Sequence, residues 1–276
     1  MDFDEIIDAR LAKDVKASAG LISREEASGL VDLYYTLQEH RIALGNQSAA
    51  AVRESRAHEI PDHFGGQFGV LERQMRSVLD TFAHSQPVGR WSMDQLGIGP
   101  VLAAGLLAHI DIERAPTVGH IWSFAGYNPD MVWEKGQKRP FNLRLKTLCW
   151  KIGDSFVKVS GRDNALYGHI YRKRKDYELE RDERGANSDT AAKTLATRKI
   201  VDAKLRKIYE SGHLPPGRLD LRSRRYAVKI FLAHWHHVAY IDRYGKQPPR
   251  PYVLEHVPGH VHKIVCPPGG DFAGEA

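Results

Sequence analysis

Apolar positions along this chain recur at three- and four-residue intervals, the period of one face of a helix. Residues 1 to about 58 read as helical. Ser23 with Glu26 has the capping-box spacing, and Leu30, Leu33, Tyr34 and Leu37 carry the apolar face onward. Gly45-Asn46 is expected to interrupt this helix, and Ile60-Pro61-Asp62 and Gly65-Gly66 to break the chain. Phe68, Leu71, Met75, Val78, Leu79 and Phe82 then form one face of a second helix, with Glu72, Arg73, Arg76 and Asp80 on the other. Apolar stripes of this kind predict packing or coiled-coil pairing, hence a homo-oligomer.

The stretch Leu96-Gly97-Ile98-Gly99-Pro100-Val101-Leu102-Ala103-Ala104 reads as a helix-hairpin-helix. Ser92, with Gln95 three residues on, is expected to cap its first helix. Gly97 supplies a left-handed residue at the turn. Ile98 is the apolar tip, and Pro100 opens the second helix at a position where proline is favoured. Amides at the start of such a helix suit a phosphate, and glycines at 97 and 99 let a nucleic-acid backbone approach. Gly97, Ile98, Gly99 and Val101 are therefore candidate DNA contacts. The competing reading is a plain turn between packed helices.

Further helices are expected over Val101 to Ile110, Val118 to Ala125 with Thr117 as cap, Leu143 to Val159, Asp163 to Glu183, Thr190 to Tyr209 and Arg222 to Tyr244. Past Gln247 the chain is rich in proline and glycine, with a short strand expected at Val261 to Val265. No alternation is long enough for a sheet core, so the fold class is mainly α. The reading divides the chain into a helical stalk (1–90), a helix-hairpin-helix domain (91–246) and an irregular tail (247–276). No apolar run is long enough for a bilayer, and the acidic start is unlike a secretory or transit peptide. With only two cysteines, Cys149 and Cys266, a disulfide framework is not expected, which points to the cytoplasm.

The net charge of +6 hides an asymmetry. Glu134 to Arg250 holds 28 lysines and arginines against 13 acids, while the remainder holds 12 against 21. Basic runs at Lys135–Arg139, Arg172–Lys175 and Arg222–Arg225 favour a polyanion, because each neutralised phosphate releases a counterion. Around Arg172–Lys175 the interleaved acids also fit an ordinary solvated face. The solvated-face reading fits the other two runs poorly, with Glu134 as the acid read beside their charges. Lys135, Lys138, Arg139, Arg144, Arg222, Arg224 and Arg225 join the candidate DNA contacts.

The order of these segments resembles a known family. After the stalk come Leu96-Gly97-Ile98-Gly99-Pro100-x-x-Ala103-Ala104, then Trp122-Ser123-Phe124-Ala125-Gly126-Tyr127-Asn128-Pro129. The Gly136-Gln137-Lys138-Arg139 loop, Asn142-Leu143-Arg144-Leu145 and the helix at Arg224-Arg225-Tyr226 follow. From about Trp91 to Tyr244 this is similar to the C-terminal half of the bridge-RNA-guided insertion-sequence transposases (the IS one-ten / one-sixteen class). The resemblance implies a transposase-like DNA-binding fold and a mobile-element or bacteriophage setting. Two departures matter. The segment before Trp91 is too short and too helical for that family's RuvC-like domain with its four metal-binding acids. Where the family has a serine nucleophile, this chain has Glu134-Lys135, and Phe141 replaces a glycine before Asn142.

Nothing else in the sequence supplies an evident catalytic set. His234, His236 and His237 cluster on the last helix, where packing or phosphate contact is the simpler reading. Glu255, His256, His260 and His262 have ligand-like chemistry in the tail, with no helix to fix their spacing. Asp111, Glu113 and Asp130 are conceivable Mg²⁺ ligands, although Asp111 more simply ends a helix. Ser155 and Ser160 pair with no base. No cofactor is expected. The leading expectation is a DNA-binding protein that reads shape and charge, with RNA as a second candidate partner. The alternatives are a nuclease or recombinase with an atypical site, and an interaction protein with a basic surface.

Overall fold

The computed structural model describes residues 11–129, 131–249 and 267–268. Among them are eleven α-helices, two 3₁₀ turns and no strand, so the fold is mainly α. The expected strand at 261–265 lies outside the described residues. The chain forms two compact units. One comprises Met1–Asp94 and Ile98–Asp111, the other Gln95–Gly97 and Ile112–Ala276. The hairpin's second helix thus belongs to the first unit rather than with the chain beyond Trp91.

In the first unit, α1 (Lys13–Ser18) leads through a 3₁₀ turn to α2 (Arg24–Arg53), which pairs with α3 (Glu59–His84). The capping box at the start of α2 is complete. Ser23 accepts from the Glu26 amide, and the Glu26 carboxylate accepts from the Ser23 amide. The interruptions expected at Gly45-Asn46 and Gly65-Gly66 do not occur. A Cβ added at Gly65 would lie 3.8 Å from Leu44 Cβ. That is ordinary van der Waals distance, so the α2–α3 pairing as a whole, rather than a tight fit at the glycines, outweighs their poor helix propensity of about 1 kcal/mol. Pro61 is tolerated in the first turn of α3, where amides lack intrahelical partners anyway. The seam is partly polar: Arg41 grips the buried Glu72 at 2.5 Å, and Ser48 donates to Asp62 at 2.5 Å.

A short helix, α4 (Pro87–Asp94), packs with α5 (Pro100–His109) in the same unit, and α5 also packs on α2 and α3. Ser92 does not cap. It sits inside α4, fully buried, and donates to the Val88 carbonyl at 2.7 Å. Pro100 does open α5, behind Gly99 as N-cap. Asp111 meets Arg24 at 3.6 Å.

The second unit is built around α11 (Pro216–Tyr244). Packed on it are α6 (Val118–Phe124), α7 (Leu143–Val159) and α8 (Leu166–Glu183). Thr117 stands at the N-cap of α6 but bonds the His120 ring at 3.0 Å instead of a backbone amide, whereas Asn142 caps α7 by accepting from the Leu145 amide at 3.0 Å. The single helix expected over Thr190 to Tyr209 is two, α9 (Ser188–Thr197) and α10 (Ala203–Glu210), the second started by Asp202 accepting from the Lys204 and Leu205 amides.

Phe156, Tyr167 and Phe231 form a buried aromatic centre with ring centroids 5.0–5.5 Å apart. Small residues bring the helices close around it. A Cβ on Gly168 of α8 would stand 2.6 Å from Ser160 Cα, and one on Gly153 of α7 would stand 3.3 Å from Val228 on α11. Buried acids tie α8 to its neighbours. Glu178, 1% exposed, receives Arg174 at 2.5 Å and Arg222 at 3.5 Å. Asp182 accepts from Asn187, the Leu214 amide and His213.

Candidate nucleic-acid interface

The hairpin supplies less than its sequence suggests. Gly97 is left-handed (φ 101°), as the turn requires. A Cβ there would come within 3.2 Å of the Phe156 ring and 3.3 Å of Val159. Ser155 Oγ donates to the Gly97 carbonyl at 2.5 Å. Glycine at 97 therefore answers to packing against α7, and Ser155 anchors the turn. Ile98 and Val101 are buried, at 5% and 8% exposure. Gly99 alone has open space where a side chain would stand.

The basic residues separate into two groups. Arg222 and Arg224 are drawn inward. Arg222 donates to Asn187 at 2.8 Å and meets Glu178, while burial holds its pKa below the usual arginine value. Arg224 pairs with Asp220 at 2.6 Å and with Asp154 at 3.1 Å. The acids that the sequence seemed to lack for this run come from α7, α8 and one turn back along α11.

The other group faces solvent. Lys135, Lys138, Arg139, Arg144 and Arg225 are exposed. The first three stand on the loop between α6 and α7, which is held in shape from within. The Asn142 amide donates to the Phe124 carbonyl at 2.9 Å, closing the loop's ends. Trp133 Nε1 donates to the Gln137 carbonyl at 2.8 Å, and the Arg139 guanidinium lies 5.4 Å from the Trp133 ring centroid.

Lys146, one turn into α7, joins this group. Its ammonium lies 4.0 Å from the Phe141 ring centroid. Burial and the positive charges of Arg225 and then Arg139 hold its pKa below the usual lysine value. Arg139 and Arg225 thus each repel the Lys146 ammonium. None of the three is paired with a carboxylate among the described residues. An unbalanced set of cations raises the local positive potential.

Beside Lys146 and Arg225 opens a cleft of about 310 Å³ between α7 and α11, with Gly126, Tyr127, Cys149, Trp150, Gly153 and Val228 among its walls. Burial holds the Tyr127 hydroxyl above its usual pKa and pushes the Cys149 thiol up to about 12, so both are neutral at physiological pH. Trp150 is 55% exposed at the rim.

The histidines of α11 do not converge. His234 Nδ1 bonds the Tyr167 hydroxyl at 2.8 Å, and His236 Nε2 donates to the Ala115 carbonyl at 2.8 Å. Burial, more than any charge, lowers the His236 pKa. No group of three His, Cys, Asp or Glu is placed to hold a metal among the described residues. Glu255, His256, His260, His262 and Asp130 lie outside them. Glu113 pairs with Arg243. No helix is long and apolar enough to cross a membrane among the described residues.

Lys146 and Trp150 are the site residues that sequence reasoning passed over. Their available signal was helical spacing: 146, 149, 150 and 153 share one face of α7, starting one turn after an Asn cap. No protein-family model, curated protein or solved structure matches this chain.

Proposed function

We propose that this protein binds DNA through its sugar–phosphate backbone, on the solvent-facing cations of the second unit. The observation that carries this reading is the grouping of the exposed Arg139 and Arg225 around the half-buried Lys146, with none of the three paired to a carboxylate among the described residues. Lys135 and Lys138 extend the same loop. Phosphate contacts position a duplex or a strand without reading its sequence, so affinity should depend on salt far more than on sequence. The likeness to bridge-RNA-guided transposases, carried by sequence between Trp91 and Tyr244, favours a role in transposition or phage DNA transactions. The hairpin contributes at most the amides around Gly99.

Filter binding across a salt series tests this. Five phosphate contacts give a log–log slope of about −4 to −5. Arg139→Glu with Arg225→Glu should weaken every DNA sequence about equally and flatten the slope. A slope near zero in the unaltered protein refutes the proposal.

Self-association through α3 belongs to the same reading. Phe64, Phe68, Leu71, Met75 and Val78 follow a four–three heptad spacing, and Phe64 and Leu71 remain 53% and 44% exposed. Sedimentation of the full chain should show a dimer or larger assembly that Phe64→Lys with Leu71→Lys dissociates. A monomer at all concentrations removes this part.

A further inference from the structure

The cleft beside the cations differs in chemistry from a backbone track. Its floor and walls are mostly apolar, formed by Gly126, Cys149, Gly153 and Val228, with the neutral Tyr127 beside them. The Trp150 indole stands exposed at the mouth. Positive charge is confined to Lys146, Arg224 and Arg225, and Arg224 is already neutralised by Asp154 and Asp220. At about 310 Å³ the space is at the small end of the range for small-molecule sites, about 300–1,000 Å³. It suits one flat, uncharged group attached to an anion outside.

Resting on the nucleic-acid reading above, we infer that this cleft takes one unpaired base of a single strand. The base stacks on Trp150, and its flanking phosphates lie on Lys146 and Arg225. A paired base inside a duplex presents only its edge and leaves the cleft unfilled. Stacking on an aromatic face tolerates every base, because each has a π surface. Charge complementarity selects this occupant: an apolar pocket beside unpaired cations matches a base beside its phosphates, and matches an acidic peptide poorly.

The test compares oligomers of equal phosphate number: a twelve-nucleotide oligo-dT, the same length of oligo-U, and an abasic DNA strand. The full chain should bind at least one of the first two roughly tenfold more tightly than the abasic strand, the size of one stacking contact. Whichever binds better, oligo-dT or oligo-U, identifies DNA or RNA as the natural source, and either order supports the site. Trp150→Ala should lower oligo-dT binding to the abasic level without changing the abasic affinity, and Trp150→Phe should restore the difference. The exposed indole makes both variants safe for folding, which circular dichroism verifies. Equal binding of the based and abasic strands, with the salt slope intact, overturns the base pocket and leaves the backbone reading standing. Failure of all three strands to bind overturns the base pocket, and failure of duplex DNA to bind as well overturns both.

Discussion

Arg222 and Arg225 lie three residues apart on α11, and replacing each by alanine should have opposite consequences. Arg222 makes a 2.8 Å bond to Asn187 and a longer contact to Glu178, itself 1% exposed. Its own side chain is 26% exposed, so the pair is partly screened. Hydrogen bonds to charged groups contribute about 1.5–3 kcal/mol. Glu178 keeps Arg174 at 2.5 Å, so the larger penalty of a stranded buried carboxylate does not arise. Arg222→Ala should therefore destabilise by about 1.5–3 kcal/mol, a fall in Tm of about 3–12 °C for a unit of this size. Its DNA affinity should hardly change when measured well below that temperature. Arg225 is exposed and unpaired. Arg225→Ala should leave stability within about 0.5 kcal/mol and reduce the salt slope by about one. Differential scanning calorimetry and filter binding on the two variants decide the matter. The reasoning is refuted if Arg222→Ala keeps the Tm and loses DNA, or if Arg225→Ala unfolds the protein and leaves binding intact.

Gly168→Ala places a methyl group 2.6 Å from the Ser160 backbone and should destabilise by about 1–3 kcal/mol or more; a melting temperature equal to that of the unaltered chain would contradict the close α7–α8 approach. Lys146 has a lowered pKa, so between that value and the normal lysine range the folded chain holds fewer protons than the unfolded one. Stability contributed by this site is thus least at low pH and rises as Lys146 deprotonates. DNA affinity should run the other way, falling with pH through the same alkaline window, and Lys146→Met should abolish that fall in a pH series of binding isotherms. In a Cys266→Ser background, Cys149 is buried with its thiol pushed up to about 12. It should resist a disulfide reagent at pH 8 until denaturant is added; rapid reaction in the native state would show the burial to be wrong.

Local chemistry was the most legible part of the sequence. Ser23 with Glu26 and Pro100 after Gly99 depend on a few adjacent residues, and both stand where the spacing puts them. The apolar periodicity of α7 gave its full span. Signals that tertiary packing overrides were misread. Gly45 and Pro61 look like breaks, yet the α2–α3 pairing and a first-turn position accommodate them. Ser92 looks like a cap because a chain of letters does not show that α4 begins at Pro87. Among the basic residues, Arg222 and Arg225 were indistinguishable, since Glu178 and Asp154 are remote in sequence. Asp220 is the partner visible locally, standing four residues before Arg224 on the same helix face. Lys146 escaped because a lone lysine in an apolar run makes no visible patch.

The missing side chains at 153 and 168 let α7 lie tight against the side chains of α11 and the backbone of α8. A helix packed that closely on two flanks has little room to slide or tilt. For the guest proposed above, a wall packed this tightly needs little rearrangement, which leaves the host less ordering entropy to surrender.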